Sequence, residues 1–253
     1  MHVGSDVSLM PDQVIHNGRE ITPNSTQKVI YRKWLDMLKH IDEVTDKNGV
    51  DAIFNLGDTV DGANWKERGY GQWTTEIKVQ CDTAVDLLRM IPINPDYEYI
   101  GVQGSNYHVE NNMSSDEYIA DKMCGRFGDE YKVTINGRCF HLSHQIGVSN
   151  IQAYRTTAIA REMMVSALNK ELGKFDVILR GHAHYCVYAG YSNSLGMVLP
   201  CWKGRDRYVA TKSLAYNPKL GYVLFTVDED SNIDFDIRAF HLEGKHVMKE
   251  VKI

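Results

Sequence analysis

Four short segments of this chain carry side chains able to bind metal ions, and each follows a stretch that reads as a strand. They are Gly57-Asp58-Thr59-Val60-Asp61-Gly62, Gly104-Ser105-Asn106-Tyr107-His108, His141-Leu142-Ser143-His144 and Gly181-His182-Ala183-His184. Taken alone, Gly57-Asp58 is an ordinary strand-end turn, and His144 reads equally well as a core histidine. The Gly-His-x-His segment after an apolar run points more directly to a metal. Together the segments offer imidazole, carboxylate and amide oxygen without thiolate. That donor set suits manganese, iron, nickel or zinc better than magnesium or calcium, which favour all-oxygen shells. No Gly-x-Ser-x-Gly elbow offers a covalent serine nucleophile. His141 falls within a strand alternation and reads as structural, while His16, His40, His241 and His246 read as surface residues.

The elements around these segments follow from periodicity and caps. Asn24 or Ser25 caps a helix running to about residue 44, with Val29, Ile30, Trp34, Leu38 and Ile41 as its buried stripe. Further helices are expected over 75–90, 116–123 and 150–172, with Gly173 as a C-terminal stop for the last. Strands are expected over 51–56, 97–102, 175–179, 185–191, 197–201, 221–227 and 233–240. Asn136-Gly137 is a two-residue turn that joins 131–135 to 138–143 as a hairpin. Strand and helix alternate early and strands dominate late. This predicts an α/β fold, a two-sheet β-sandwich flanked by helices, in one domain over residues 1–253. In open α/β sheets ligands collect beyond the carboxyl ends of strands, where these segments lie.

Composition narrows the classes of function. A hydrophobic fraction of 43% and a charged fraction of 24% describe an ordinary globular chain. No apolar run is long enough to suggest a membrane span, and the N-terminus lacks the pattern of a secretory signal. Twenty-eight Lys and Arg against thirty-three Asp and Glu give a net charge of −5, which argues against a general nucleic-acid coat. The cysteines number five and form no Cys-x-x-Cys pair, so reduced thiols in a cytoplasmic protein are expected.

In order and spacing, the four segments resemble the calcineurin-like metallophosphoesterase superfamily, whose pattern is Asp-x-His, Gly-Asp, Gly-Asn-His, a lone His and Gly-His-x-His. The resemblance runs from His2 to His184. It implies two divalent metal ions, manganese first among the candidates, bridged by Asp58. His144 and His182 match ligands of the second metal, and His2 and His184 match ligands of the first. Asp61 matches a supporting acid. Gly-Ser-Asn-Tyr-His departs from Gly-Asn-His by one inserted residue. Asn106 is then the expected amide ligand and His108 the acid that protonates the leaving group, with His108 as a ligand the other assignment.

A second departure lies at the N-terminus. Met1-His2-Val3-Gly4-Ser5 matches only the tail of the Asp-x-His motif, and the Asp would fall immediately before Met1. The first strand is therefore expected to be missing, with Met1 internal to a longer frame or the chain truncated. His2 would then sit at a frayed end, Asp6 would be a substitute of the wrong spacing, and the first metal site would be weak.

The expected activity is metal-dependent hydrolysis of phosphate esters, with diesters favoured and nucleotides or nucleic acid as candidate substrates. Arg205 and Arg207, in the basic run Trp202-Lys203-Gly204-Arg205-Asp206-Arg207, would hold the phosphate, although a solvated loop is the plainer reading of that run. The segment from Trp65 to Trp73 would stack on a leaving group or form a surface loop. Two alternatives stand beside this reading: a protein of the same fold that binds metal and phosphate with impaired catalysis, and a nuclease acting on DNA or RNA.

Overall fold

A computed structural model of the chain describes residues 1–64, 68–105, 109–110, 113–169, 173–191, 194–206 and 217–242. A short hairpin opens the fold, with β1 (Val14–His16) paired to β2 (Arg19–Ile21). The sequence held its signal: Asn17 and Gly18 both take positive φ, the same two-residue turn chemistry as at Asn136-Gly137. Helix α1 (Ser25–Val44) begins with a capping box, in which the Asn24 side chain accepts from the Gln27 N–H and the Gln27 side chain accepts from the Asn24 N–H. Its buried stripe is Gln27, Ile30, Trp34, Met37 and Ile41. Val29, expected inside, is 43% exposed; Met37 takes the core position one turn after Trp34.

Strand β3 (Val50–Asn55), helix α2 (Ile77–Leu88) and strand β4 (Ile93–Val102) come next. The two-residue strands β5 (Val109–Glu110) and β6 (Met113–Ser114) lead into α3 (Ser115–Lys122) and β7 (Arg126–Gly128). Strands β3, β4 and β7 form one parallel sheet. A second sheet contains β8 (Glu130–Ile135), β9 (Arg138–Ser143), β10 (Val177–Arg180), β11 (Val187–Tyr191) and β12 (Ser194–Val198). Its order is β11-β12-β10-β9-β8, with β10 parallel to both neighbours. Helix α4 (Arg155–Leu168) precedes β10 and starts later than periodicity suggests, because residues 152–154 form a tighter turn. The hairpin of β13 (Leu220–Val227) and β14 (Ile233–Phe240) completes the described chain.

Alternation along the strands builds the layers. Phe140, Leu142, Val177, Leu179 and Met197 face Leu56, Ile100 and Val102 across the inter-sheet core, with Val223, Phe225 and Phe235 packed against them. The opposite face of the five-stranded sheet buries Ile178 and Val198 against Ile159 and Met163 of α4. The parallel three-stranded sheet is covered on its outer side by α1, α2 and α3 through Ile30, Trp34, Leu87, Leu88 and Ile119. The chain is thus a mixed α/β sandwich of two sheets with helices on both outer faces. A cavity of about 240 Å³ is lined by residues of β3 and β13 together with Met1, His2, Asp58, His144, His182 and His184.

Candidate metal centre

Strands β3 and β4 run parallel in one sheet, and β9 and β10 run parallel in the other. Their carboxyl ends deliver Asp58, Gly104, His144 and His182 to one end of the sandwich. The loops meet backbone to backbone. A Cβ added at Gly57 would lie 2.5 Å from Gly104 Cα, so only glycine allows that approach. His2, Asp58, His182 and His184 all hold φ between 51° and 62°. A non-glycine residue in this left-handed region carries about 1–3 kcal/mol of strain, and such residues gather at functional sites.

Two groups of donors converge, His2 with Asp58 and His184, and Asp58 with His144 and His182. Within each group the ligand atoms lie within 4.8 Å of one another, and Asp58 is common to both. The Asp58 Oδ1 is occupied by the Ser105 N–H at 2.7 Å and the Ser105 hydroxyl at 3.0 Å. Its Oδ2 faces the clusters, 3.2 Å from His144 Nε2 and 3.9 Å from His2 Nε2. The His2 and His184 Nε2 atoms are 2.8 Å apart, and His182 Nδ1 is 3.2 Å from His144 Nε2. Ligands about 2.1 Å from a tetrahedral ion lie about 3.4 Å from each other, so these separations fit shared cations.

Protonation supports the same reading. His144 Nδ1 donates to the Leu56 carbonyl at 2.5 Å, which in the neutral ring leaves a lone pair on Nε2. That lone pair faces a carboxylate oxygen and a second imidazole, an arrangement that calls for a proton or a metal between them. In the absence of metal the proton serves: burial lowers the His144 pKa, but the contact with Asp58 outweighs it and holds the value above the ordinary one. Burial pushes His2 down to about 3, helped by Lys203 and opposed by Asp61 and Asp58. His184 is held well below its ordinary value by burial, then by His2 and Lys203. Both therefore present neutral nitrogens, the form in which imidazole binds metal.

The expectation of a frayed N-terminus is corrected. His2 is 5% exposed. Its N–H donates to the Asp58 carbonyl at 2.9 Å, the Val3 N–H donates to the Thr59 carbonyl at 2.9 Å, and Val3 bridges Val60 in parallel. These bonds continue the strand pairing past β3 and fix the ring of His2 against His184. Asp6 belongs to neither donor group. Asp61 lies behind His2, its Oδ1 3.5 Å from His2 Nδ1.

Asn106, His108 and Arg207 lie outside the described residues, as do Trp65, residues 66–67 and His246. Arg205 is described and half-buried. Its run is not a solvated basic loop at its start. Trp202 is buried against Trp34, and Lys203 turns inward to Asp61 and Asp206. His141 is structural, stacked on Phe175 and accepting from Arg180. His40 is not simply a surface residue, since its Nδ1 lies 2.6 Å from the Tyr222 hydroxyl and its ring faces Asp236.

Sequence reasoning missed Asp116. Its buried carboxylate accepts from the Asp58 N–H at 3.2 Å, the Thr59 N–H at 3.1 Å, the Thr59 hydroxyl at 2.5 Å and the Gly104 N–H at 3.0 Å. It therefore ties the first two loops together. An acid in the first turn of α3 looks like ordinary helix chemistry, so nothing local marks this role.

No protein-family profile matches the chain, and no curated protein matches it. Among solved structures it is similar to a novel archaeal phosphodiesterase, at 14% identity and a TM-score of 0.41 over 82% of this chain and 94% of that one. It is also similar to zinc-complexed Vps29 of Entamoeba histolytica, at 10% identity and 0.39 over 78% and 88%. Vps29 of Chaetomium thermophilum gives 11% and 0.39 over 84% and 93%. The chain resembles them in structure. Among the described residues no helix is long and apolar enough to cross a membrane, and all five cysteines are free thiols.

Proposed function

We propose that this chain is a calcineurin-like metallophosphoesterase that hydrolyses phosphate esters at a dinuclear centre, with diesters favoured. The observation that carries the reading is Asp58 Oδ2, which faces one histidine group through His144 and the other through His2. The residues that would hold the ions are His2, Asp58 and His184 on one side and Asp58, His144 and His182 on the other. Asn106 is the candidate for a further ligand. The donor set favours manganese, with iron, nickel or zinc as the other candidates.

Held by His2, Asp58, His144, His182 and His184, two divalent ions would supply a water-derived nucleophile at neutral pH and would neutralise phosphoryl oxygens. The chain does the rest. Ser105 fixes the Asp58 carboxylate through Oδ1, so that Oδ2 keeps its aim. The Leu56 carbonyl fixes the tautomer of His144. His108 donates a proton to the leaving oxygen, a contribution of typically ~10²–10⁴-fold. Arg205 and Arg207 hold the non-reacting phosphate oxygens of a nucleotide or nucleic-acid substrate in the cytoplasm.

Turnover of bis(p-nitrophenyl) phosphate and p-nitrophenyl phosphate with added manganese tests the activity and the diester preference together. About two ions per chain are expected, as in two-metal sites. Asp58→Asn and His182→Ala should each abolish turnover with circular dichroism unchanged. Retained turnover in both overturns the assignment, and a clear monoester preference overturns the substrate class. One ion or none without turnover would mark a binding protein instead.

A further inference from the structure

The chemistry of the His2–His184 group depends on which nitrogen of His2 carries the proton. Its Nε2 faces His184 at 2.8 Å and its Nδ1 faces Asp61 Oδ1 at 3.5 Å. Asp61 can accept from Nδ1 only while its carboxyl group stays correctly turned, in a position where it is 5% exposed. Two donors hold it there. Lys203 Nζ reaches Asp61 Oδ1 at 2.7 Å, and the Gln72 amide donates to Oδ2 at 3.0 Å.

Lys203 is itself built in. It is 9% exposed, and its Nζ is also 2.9 Å from Asp206 Oδ2. Its backbone bridges Ser8 in antiparallel fashion, and the next residue, Gly204, donates its N–H to the Val7 carbonyl at 2.7 Å. The preceding Trp202 packs edge-on against Trp34 and Phe240, with ring centroids 5.1 Å and 6.1 Å apart. The segment that carries the ammonium is therefore clamped onto the same N-terminal stretch that carries His2. A buried lysine needs compensation for its charge. Here two carboxylates supply it, and one of them faces a candidate ligand.

We propose that Lys203 is a positioning residue: through Asp61 it fixes His2 in the Nδ1–H tautomer and aims its Nε2 lone pair at the ion shared with His184. This inference rests on the dinuclear reading above for the ion, but not for the tautomer. Outer partners of metal-bound histidines set ring orientation and basicity, and their loss typically costs about 10–100-fold in metal affinity. Lys203 acts one step further out, on the carboxylate, and a site is only as well aimed as the residues that support it.

The experiment compares wild type, Lys203→Met and Lys203→Arg as full chains. Long-range ¹⁵N–¹H spectra of the metal-free proteins report the His2 tautomer. Manganese titration followed by electron paramagnetic resonance reports each site. We expect a single Nδ1–H signature in wild type and a mixed one in K203M. We also expect a loss of about 10–100-fold in affinity at one of the two sites only, with partial recovery in K203R. A His2 tautomer and manganese affinities unchanged in folded K203M overturn the proposal and leave Lys203 a packing residue. If K203M does not fold, K203Q is read in its place: a shifted tautomer supports the proposal and an unshifted one overturns it. Wild type that binds no manganese sinks the dinuclear reading, while the tautomer comparison still decides the role of Lys203.

Discussion

Replacing Asp116 by asparagine tests how the loop bearing Asp58 is held. The buried carboxylate accepts hydrogen bonds from three backbone N–H groups, those of Asp58, Thr59 and Gly104, and from the Thr59 hydroxyl. Asparagine keeps one oxygen and turns an NH₂ group towards the donors on the other side. In the milder flip this group faces Thr59, whose hydroxyl can rotate to accept, and one N–H loses its partner. In the other flip the N–H groups of Asp58 and Gly104 both lose theirs. Each buried donor left without an acceptor costs about 1–3 kcal/mol. The milder flip therefore destabilises by about 2 kcal/mol, and Asp116→Ala, which removes every acceptor, by at least twice as much. In a chain of this size 1 kcal/mol moves Tm by roughly 2–4 °C, so D116N should melt roughly 4–8 °C below wild type. Differential scanning fluorimetry in excess chelator measures this without a contribution from bound metal. A D116N midpoint within about 1 °C of wild type, with D116A equally unaffected, would refute the account of Asp116 as the tie between the two loops.

In metal-free protein the buried histidines should make stability depend on pH. His2 titrates near 3 in the folded chain against 6.5 ordinarily, and His184 is also lowered, so both take up protons on unfolding below about 6.5. Stability should fall as pH drops from about 6.5 towards 3, by up to about 1.4 kcal/mol per pH unit for each group. His144, with a raised value, opposes this: its contribution is complete below about 6.5 and is lost as pH rises through its folded pKa. Urea midpoints between pH 7 and pH 4 should therefore decline on balance, starting above the carboxylate range, and a flat profile would contradict the neutral pair. Gly104→Ala places a Cβ 2.5 Å from Asp58 Oδ1 and 2.8 Å from Asp116 Oδ2. It should cost about 1–3 kcal/mol and reduce manganese binding; calorimetry that finds wild-type affinity would show that the loops are free to separate. Phe140→Ala, fully buried between the sheets, should cost about 3–5 kcal/mol by urea titration, and a loss below about 1 kcal/mol would contradict its place in that core.

Much of the architecture was legible because its signals are local. Asn24 capping α1, Asn136-Gly137 closing the β8–β9 hairpin and the apolar runs of β3 and β10 each act within a few residues of chain. The Asn17-Gly18 hairpin was less legible: its turn chemistry is the same, but the three-residue runs beside it are too short and polar to read as strands. Burial along α1 was less legible. Val29 and Ile30 lie about 100° apart on the helix, and the stripe Ile30, Trp34, Met37 and Ile41 faces the core while Val29 falls outside it.

By itself the sequence determined the candidate ligand types, their order and their place after strands, because parallel strands bring every carboxyl end to one side of a sheet. Tertiary structure decided what that end becomes. His2 is held firm because Val3 pairs with Val60, a contact across 57 residues that no local pattern encodes. Asp116 and Lys203 serve the site across separations of 57 and 142 residues, through hydrogen bonds to Thr59 and Asp61. Such bonds exist only once the sheets have stacked and the polar groups at their ends, cut off from water, must satisfy one another.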